Sequence, residues 1–329
     1  MKILEPNINS VFNIKNSYEF NEIALKIFRY QADNNLVYKE YISHLNLNPA
    51  KIKKVKDIPF LPISFFKTHK VTCKFTEEKV FKSSGTTLTT RSNHFVHSLK
   101  IYESSFVKAF EYFFGNLQEY TFLALLPSYQ EQGDSSLIYM MDYFISKTKN
   151  NGSAYFLNAD EALNSKIKEL EKAEKKYILF GVSYALLDFM EVFPQKISFG
   201  KIMETGGMKG RRKELTKDEL HQELKIGYGV SAIFSEYGMT ELLSQAYFTE
   251  NKKFNPPPWM KIFIRNTSDP FQFMPTGKRG LINVIDLANI HSCSFIATED
   301  IGQSFENESF SVLGRFDSAD VRGCNLMVE

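Results

Sequence analysis

Between residues 81 and 250, short apolar runs alternate with longer amphipathic ones, and this rhythm constrains the fold more than any other feature of the chain. Residues 120–126, 154–157, 177–182 and 201–204 read as strands. Between and after them, residues 135–145, 160–175, 184–192 and 216–225 carry apolar side chains at helical spacing. Such alternation demands crossover connections, so the expected fold is α/β, with a mostly parallel sheet flanked by helices. Thr216 and Glu219 stand three apart at the head of the last helix, the spacing of a capping box.

The flanking segments have a different texture. Phe20, Ile23, Ala24, Ile27, Phe28 and Tyr30 fall near a 3.6-residue period, and Tyr38, Tyr41 and Ile42 resume it after a polar break. Pro49, Pro59 and Pro62 then impose extended chain leading inward. Beyond Asn251, a Pro256-Pro257-Pro258-Trp259 turn opens a series of short strands at 261–265, 280–286 and 310–313. The expected organisation is an N-terminal helical segment over 1–80, an α/β nucleotide-binding core over 81–250, and a β-rich closing section with a C-terminal tail over 251–329. At 329 residues the chain has ample length for a large core.

Charge and composition exclude several roles. The formal net charge is +2, scattered in short mixed runs, which argues against nucleic acid or an anionic membrane as the main partner. The longest apolar run, 121–127, is far short of the roughly 20 residues that span a bilayer. The N-terminus lacks the pattern of a secretory signal, and Cys73, Cys293 and Cys324 show no paired metal spacing, so free thiols and a cytoplasmic location are expected.

Four segments can carry chemistry. In Lys82-Ser-Ser-Gly-Thr-Thr-Leu-Thr-Thr-Arg91, one glycine among six hydroxyl residues can turn sharply and offer N–H and hydroxyl donors to a polyphosphate; the same composition also makes an ordinary surface loop. Ser235-Glu-Tyr-Gly-Met-Thr-Glu241 follows a strand read at 232–234, so its turn places a ring, a hydroxyl and a carboxylate at the carboxyl end of a sheet, where α/β proteins bind ligands. A strand-to-helix turn capped by Thr240 is the plainer alternative. Asp300 can accept from ribose hydroxyls and Arg315 can donate to the same sugar, although a structural ion pair across a hairpin fits the spacing as well. His94 and His97 lack a third ligand and read as solvated or capping residues, and Cys293 beside His291 reads as a core cysteine.

In order and spacing, from Ser83 to about Asp317, these segments resemble the adenylate-forming superfamily of acyl-CoA ligases, phenylacetate-CoA ligases and acyl-protein synthetases. The resemblance implies that Ser83, Ser84, Gly85, Thr86 and Thr87 hold the ATP β- and γ-phosphates. It places Tyr237, Gly238 and Thr240 near the nucleotide, with Thr240 at the α-phosphate and Glu241 as the Mg²⁺ ligand. It assigns Asp300 and Arg315 to the ribose, and Gly206 and Gly207 to a loop beside the adenine. Within the superfamily, 126–129, 135–140, 204–210 and the terminal Arg322-Gly323-Cys324 are most similar to the acyl-protein synthetase (LuxE-like) branch. That likeness implies ATP and Mg²⁺ as cofactors, a carboxylic and specifically fatty acid substrate, and a pocket near Ser128 and Tyr129. Acyl transfer to Cys324, five residues from the end, and then to an acceptor protein or CoA would follow. Thr240, Glu241 and Cys324 are the implied catalytic residues.

Leu88 and Arg91 depart from the glycine and Pro-Lys usual after the phosphate loop. The superfamily's C-terminal domain of roughly 100 residues, with a core of its own, is also expected to be absent. Two other readings remain open at this stage: an acyl-CoA ligase of the phenylacetate type, and a non-catalytic nucleotide-binding relative.

Overall fold

A computed structural model describes residues 4–74, 76–84, 90–127, 133–148, 150, 152–208 and 211–316. The chain enters through α1 (Ile8–Phe12), α2 (Ser17–Asn34) and α3 (Leu36–His44). The polar break in the sequence period is Asn35. Its side chain caps α3 by accepting from Tyr38 N, and it donates to Ser292 O at 3.0 Å. Gln31, fully buried in the last turn of α2, donates to Asn289 O and Ile290 O and accepts from Ser294 N. These amides satisfy a buried connection that would otherwise hold orphaned backbone groups. The proline-marked segment does run inward: β1 (Leu61–Pro62) pairs in parallel with Ile296 and Ala297, and α4 (Phe65–Thr68) follows.

Next comes a hairpin that sequence periodicity did not show, β2 (Lys79–Lys82) and β3 (Asn93–Val96), whose connection is the Ser/Thr-rich segment. Helix α5 (Leu99–Phe114) packs Phe106 and Phe110 inward, as its aromatic stripe requires. The alternating region is then β4 (Thr121–Leu125), α6 (Ser136–Lys147), β5 (Ala154–Phe156), α7 (Glu161–Lys172), β6 (Tyr177–Val182), α8 (Ser183–Val192), β7 (Gly200–Thr205), α9 (Lys217–Tyr228) and β8 (Phe234–Tyr237). Strands β4 and β6 are buried at every position, which is why they read as continuous apolar runs rather than alternating ones. The expected capping box at Thr216 and Glu219 is formed in both directions.

Strands β5, β4, β6, β7 and β8 run parallel in that spatial order. The closing strands are β9 (Ala246–Phe248), β10 (Phe254–Asn255), β11 (Met260–Arg265), β12 (Arg279–Asp286), β13 (Phe295–Ser304) and β14 (Phe310–Arg315). They continue the same sheet in antiparallel fashion, in the order β8, β9, β10, β14, β13, β12, β11. The fold is thus the expected α/β class, a mixed sheet whose parallel half is flanked by helices and whose antiparallel half comes from the last section. Among the described residues, no helix is long and apolar enough to cross a membrane.

Candidate active site

The strand read at 232–234 lies further along, at Phe234–Tyr237, so Ser235, Glu236 and Tyr237 are strand residues and the turn begins at the exposed Gly238. No helix follows. Met239–Leu242 makes a tight turn, closed by Leu242 N donating to Met239 O, and runs on to β9, so Thr240 is not a helix cap.

On one face of β8, the Tyr237 hydroxyl donates to Asp300 Oδ2 at 2.8 Å, and its ring lies against Phe254 and Phe310. Burial raises the Asp300 pKa against that hydrogen bond. Asp300 and Arg315 stand directly opposite each other in the β13–β14 ladder, as a hairpin requires, but their side chains are not paired: Arg315 donates to Glu299 at 3.2 Å and is mostly exposed. The guanidinium is therefore presented to solvent beside Asp300 rather than consumed by it.

The hairpin that carries the Ser/Thr-rich loop grips the turn after Gly238. Ser92, on the strand side of the loop, hydrogen-bonds the Glu241 carboxylate, whose pKa is raised by burial against that bond. His94 of β3 is buried, with Nδ1 2.7 Å from Thr240 O and Nε2 3.0 Å from Asn289 Oδ1; Asn289 in turn donates to Glu241 O at 2.8 Å. The reading of His94 as a solvated or capping residue at helical spacing is therefore corrected: it sits on a strand and holds a motif 146 residues away. Burial lowers its imidazole pKa to about 4 against the pull of the two oxygens. His97 is half-buried and contacts Thr76 O.

Both ends of the Ser/Thr-rich loop are fixed. Ser83 accepts from Ser92 N through its hydroxyl at 2.9 Å and donates its own N–H to Ser92 O. Arg91, which departs from the family pattern, pairs with Asp134 at 3.0 Å, and Lys82 reaches the same carboxylate at 3.3 Å. Burial works against the Asp134 charge, but these two cations outweigh it and lower its pKa. Ser84 is exposed; Gly85, Thr86 and Thr87 lie outside the described residues. So do Ser128 and Tyr129 of the expected acid pocket and the proposed thiol Cys324. Met140 and Phe144 of α6 are buried in the core, Phe144 against Phe106 of α5. Cys293 is a core thiol as expected, fully buried and pushed up to about 12 by that burial.

Beneath the glycine loop lies a set of charges that the sequence did not single out. Gly206 takes φ +74°, a conformation that favours glycine, and accepts from Ser183 Oγ. Glu204, fully buried, accepts from Ser183, and Lys217 at the head of α9 hydrogen-bonds its Oε1. His221 stands 3.4 Å from the same oxygen. Burial alone would raise the Glu204 pKa, but Lys217, His221 and Ser235 together lower it to about 2. Thr205 donates to Glu236, a second buried carboxyl, whose pKa burial raises to about 7.

No group of three or more His, Cys, Asp or Glu side chains among the described residues could hold a metal by itself. A hard cation bound by one carboxylate and the oxygens of a bound polyphosphate needs no such group, and Glu241 beside the loop hairpin fits that donor set.

A family model described as "Acyl-protein synthetase, LuxE" matches residues 130–329. No curated protein sequence matches the chain. Among solved structures, 2-hydroxyisobutyryl-CoA ligase in complex with 2-HIB-AMP and CoA superposes with a TM-score of 0.68 at 12% identity, over 93% of this chain and 70% of that one. The ATP-bound structure of MatB from Rhodopseudomonas palustris gives 0.50 at 17% identity, over 72% and 47%. The amide bond synthetase McbA from Marinactinospora thermotolerans gives 0.52 at 16% identity, over 72% and 49%. The aligned part thus spans about half the length of the latter two. The likeness establishes a fold shared with adenylate-forming enzymes.

Proposed function

The chain belongs to the acyl-protein synthetase (LuxE) family, and on that premise we propose that it activates a carboxylic acid, of the fatty type, with Mg-ATP to an acyl-adenylate and passes the acyl group through Cys324 to a partner. One observation carries this reading: the hairpin bearing the Ser/Thr-rich loop and the turn bearing Thr240 and Glu241 are fastened to each other by Ser92 and His94, beside the Tyr237–Asp300 pair. A polyphosphate held at the loop would therefore meet the turn and the nucleoside site in one fixed arrangement.

A carboxylate is a poor acyl donor because its oxygen leaves badly. In the first step, a carboxylate oxygen of the substrate attacks the α-phosphorus of ATP, and the bond from that phosphorus to pyrophosphate breaks. Ser83 and Ser84 donate toward the departing phosphates, Thr240 positions the α-phosphate, and Asp300 with Arg315 orients the ribose. Glu241 would hold Mg²⁺, which would supply positive charge to offset that developing on the phosphate oxygens. In the second step, the Cys324 thiolate, favoured by the neighbouring Arg322, attacks the acyl carbon and AMP leaves with the electron pair of the C–O bond. A thiol, hydroxyl or amine of an acceptor protein then takes the acyl group.

The test is intact mass after incubation with Mg-ATP and a panel of short, long and aromatic acids, with Cys324→Ala as control. A hydroxylamine-labile acyl adduct that the variant lacks is the expected result. Pyrophosphate release without an adduct would move the acceptor to CoA or directly to another protein. No pyrophosphate release with any acid would overturn the reading and leave a nucleotide-binding relative without turnover.

A further inference from the structure

The neck of the Ser/Thr-rich loop is held by a carboxylate from another part of the chain. Ser83 and Arg91 stand eight apart at the two ends of the loop. The Arg91 guanidinium reaches across, with Nε donating to Ser83 O and Nη2 to Lys82 O at 3.4 Å. Its outer edge meets Asp134, Nη2 to Oδ1 at 3.0 Å and Nη1 to Oδ2 at 3.4 Å. Lys82 completes the set: its Nζ lies 3.3 Å from Asp134 Oδ2, and its backbone N–H donates to Asp134 O at 2.8 Å.

Asp134 has a firm footing. The next residue, Ser135, caps α6 by accepting from Ile138 N, and the Tyr102 hydroxyl of α5 donates to Ser136 O at 3.0 Å. On the other side, Lys79 of β2 donates to Gly133 O at 3.0 Å. Both ends of the loop are thus set against the head of α6. Every nitrogen of the Arg91 fork has an acceptor in this arrangement, so the guanidinium is taken up by the protein. A lysine, with one nitrogen on a flexible stem, cannot span two carbonyls and a carboxylate in one plane. That accounts for arginine at a position where the resemblance expects lysine.

We propose that Asp134 is a positioning residue for the polyphosphate of ATP, setting the width of the loop's neck through Arg91. This rests on the adenylation reading above. A trans peptide is planar, so holding Ser83 O fixes the direction of the Ser84 N–H, which points away from Arg91. The Ser83 hydroxyl accepts from Ser92 N at 2.9 Å within the same frame and keeps its own hydrogen to donate. Two donors offered to the departing phosphates are thereby aimed by a carboxylate that itself touches neither ATP nor Mg²⁺.

The experiment is ATP–pyrophosphate exchange by wild type, Asp134→Asn, Arg91→Lys and the double variant, with AMP as competitor. Asparagine keeps the size and removes the charge, whereas lysine keeps the charge and removes the fork. AMP carries only the α-phosphate, so a change confined to the grip on the β- and γ-phosphates leaves its Ki alone. Each single variant is expected to raise the KM for ATP and for pyrophosphate by about 10- to 100-fold, the scale of a misplacement of about 1 Å, with the Ki for AMP and the KM for the acid within about twofold of wild type. The double variant should be no worse than either single one, because both changes remove the same clamp. KM and Ki do not depend on the folded fraction of a sample, so a variant that folds poorly is still read. An unchanged KM for ATP overturns the assignment. So does an equal loss for ATP and AMP, which marks a merely structural residue, and so does an Arg91→Lys variant with wild-type values, which shows that the fork is not needed. Zero exchange by wild type with every acid would instead overturn the adenylation reading, and the assignment with it.

Discussion

Lys217 supports the candidate site from below, and replacing it with methionine tests how. The side chain is partly exposed, but its ammonium meets Glu204, which is fully buried at the end of β7, immediately before the Thr205-Gly206-Gly207 loop. The Glu204 pKa falls from 4.5 to about 2 despite a burial that opposes it, with Lys217 the foremost favourable partner. At about 1.4 kcal/mol for each tenfold change in acidity, that depression corresponds to about 3 kcal/mol of folding stability. Removing one member of a buried pair costs about 3–5 kcal/mol in general, which is the same range. A depressed carboxyl pKa adds stability that is complete above the unfolded value of 4.5 and is lost as pH falls through about 2. Urea unfolding of wild type and Lys217→Met at a series of pH values should therefore show the variant about 3 kcal/mol less stable at pH 7, with the gap narrowing as pH falls toward 2. A gap below about 1 kcal/mol at pH 7, or one of equal size at pH 7 and pH 3, would refute the argument, because the charge on Glu204 would then need no help from Lys217.

Other perturbations separate support from chemistry. Tyr237→Phe leaves Asp300 without its hydroxyl donor, and a lost bond to a charged group predicts a rise of about tenfold or more in the KM for ATP in pyrophosphate exchange. Glu241→Gln should abolish Mg²⁺-dependent exchange. Because burial raises the Glu241 pKa, the ionised form is held at a cost at neutral pH, so the melting temperature at pH 7 should stay the same or rise. Phe110→Ala, at a fully packed position between α5 and the sheet, should cost about 3–5 kcal/mol in denaturant unfolding while exchange per folded molecule persists. Maleimide at neutral pH should leave Cys73 and Cys293 unlabelled in the native protein, since both thiols are buried and Cys293 is pushed up to about 12; rapid labelling of either would contradict the packing.

The parallel half of the fold was legible because its signals are local. Strands buried on both faces read as unbroken apolar runs, and the capping box at Thr216 needs only its own helix. Strand β13 escaped notice because Thr298, Glu299 and Asp300 interrupt its apolar pattern. Thr298 is buried and satisfies the Ile282 carbonyl from across the ladder, so its polarity reflects a partner that the sequence cannot display. The site was legible in its motifs and not in what fastens them. His94 looks like a surface histidine until Thr240 and Asn289, 146 and 195 residues away, close on its two nitrogens. Glu236 was hidden for a different reason: it lies inside a recognised motif, and only the burial of its carboxyl against the Thr205 hydroxyl distinguishes it from a solvated acid. Arg315 was placed on the correct hairpin, but its partner is Glu299 rather than Asp300, a choice of neighbour that spacing alone leaves open.

The helices that begin the chain are sealed by residues near the other end of it. Gln31 finds its acceptor at Ile290, 259 residues later, and β1 has no strand to lie against until Ile296 exists. At about 5–20 residues per second of synthesis, that interval lasts roughly ten seconds to a minute. Through that time the growing chain carries Phe28, Tyr38 and Leu61 without the surface that finally covers them. The protein is thus most exposed to misassociation while it is being made, and substitutions at Gln31 or Asn35 should reduce its yield in the cell more than they reduce the activity of molecules that reach the folded state.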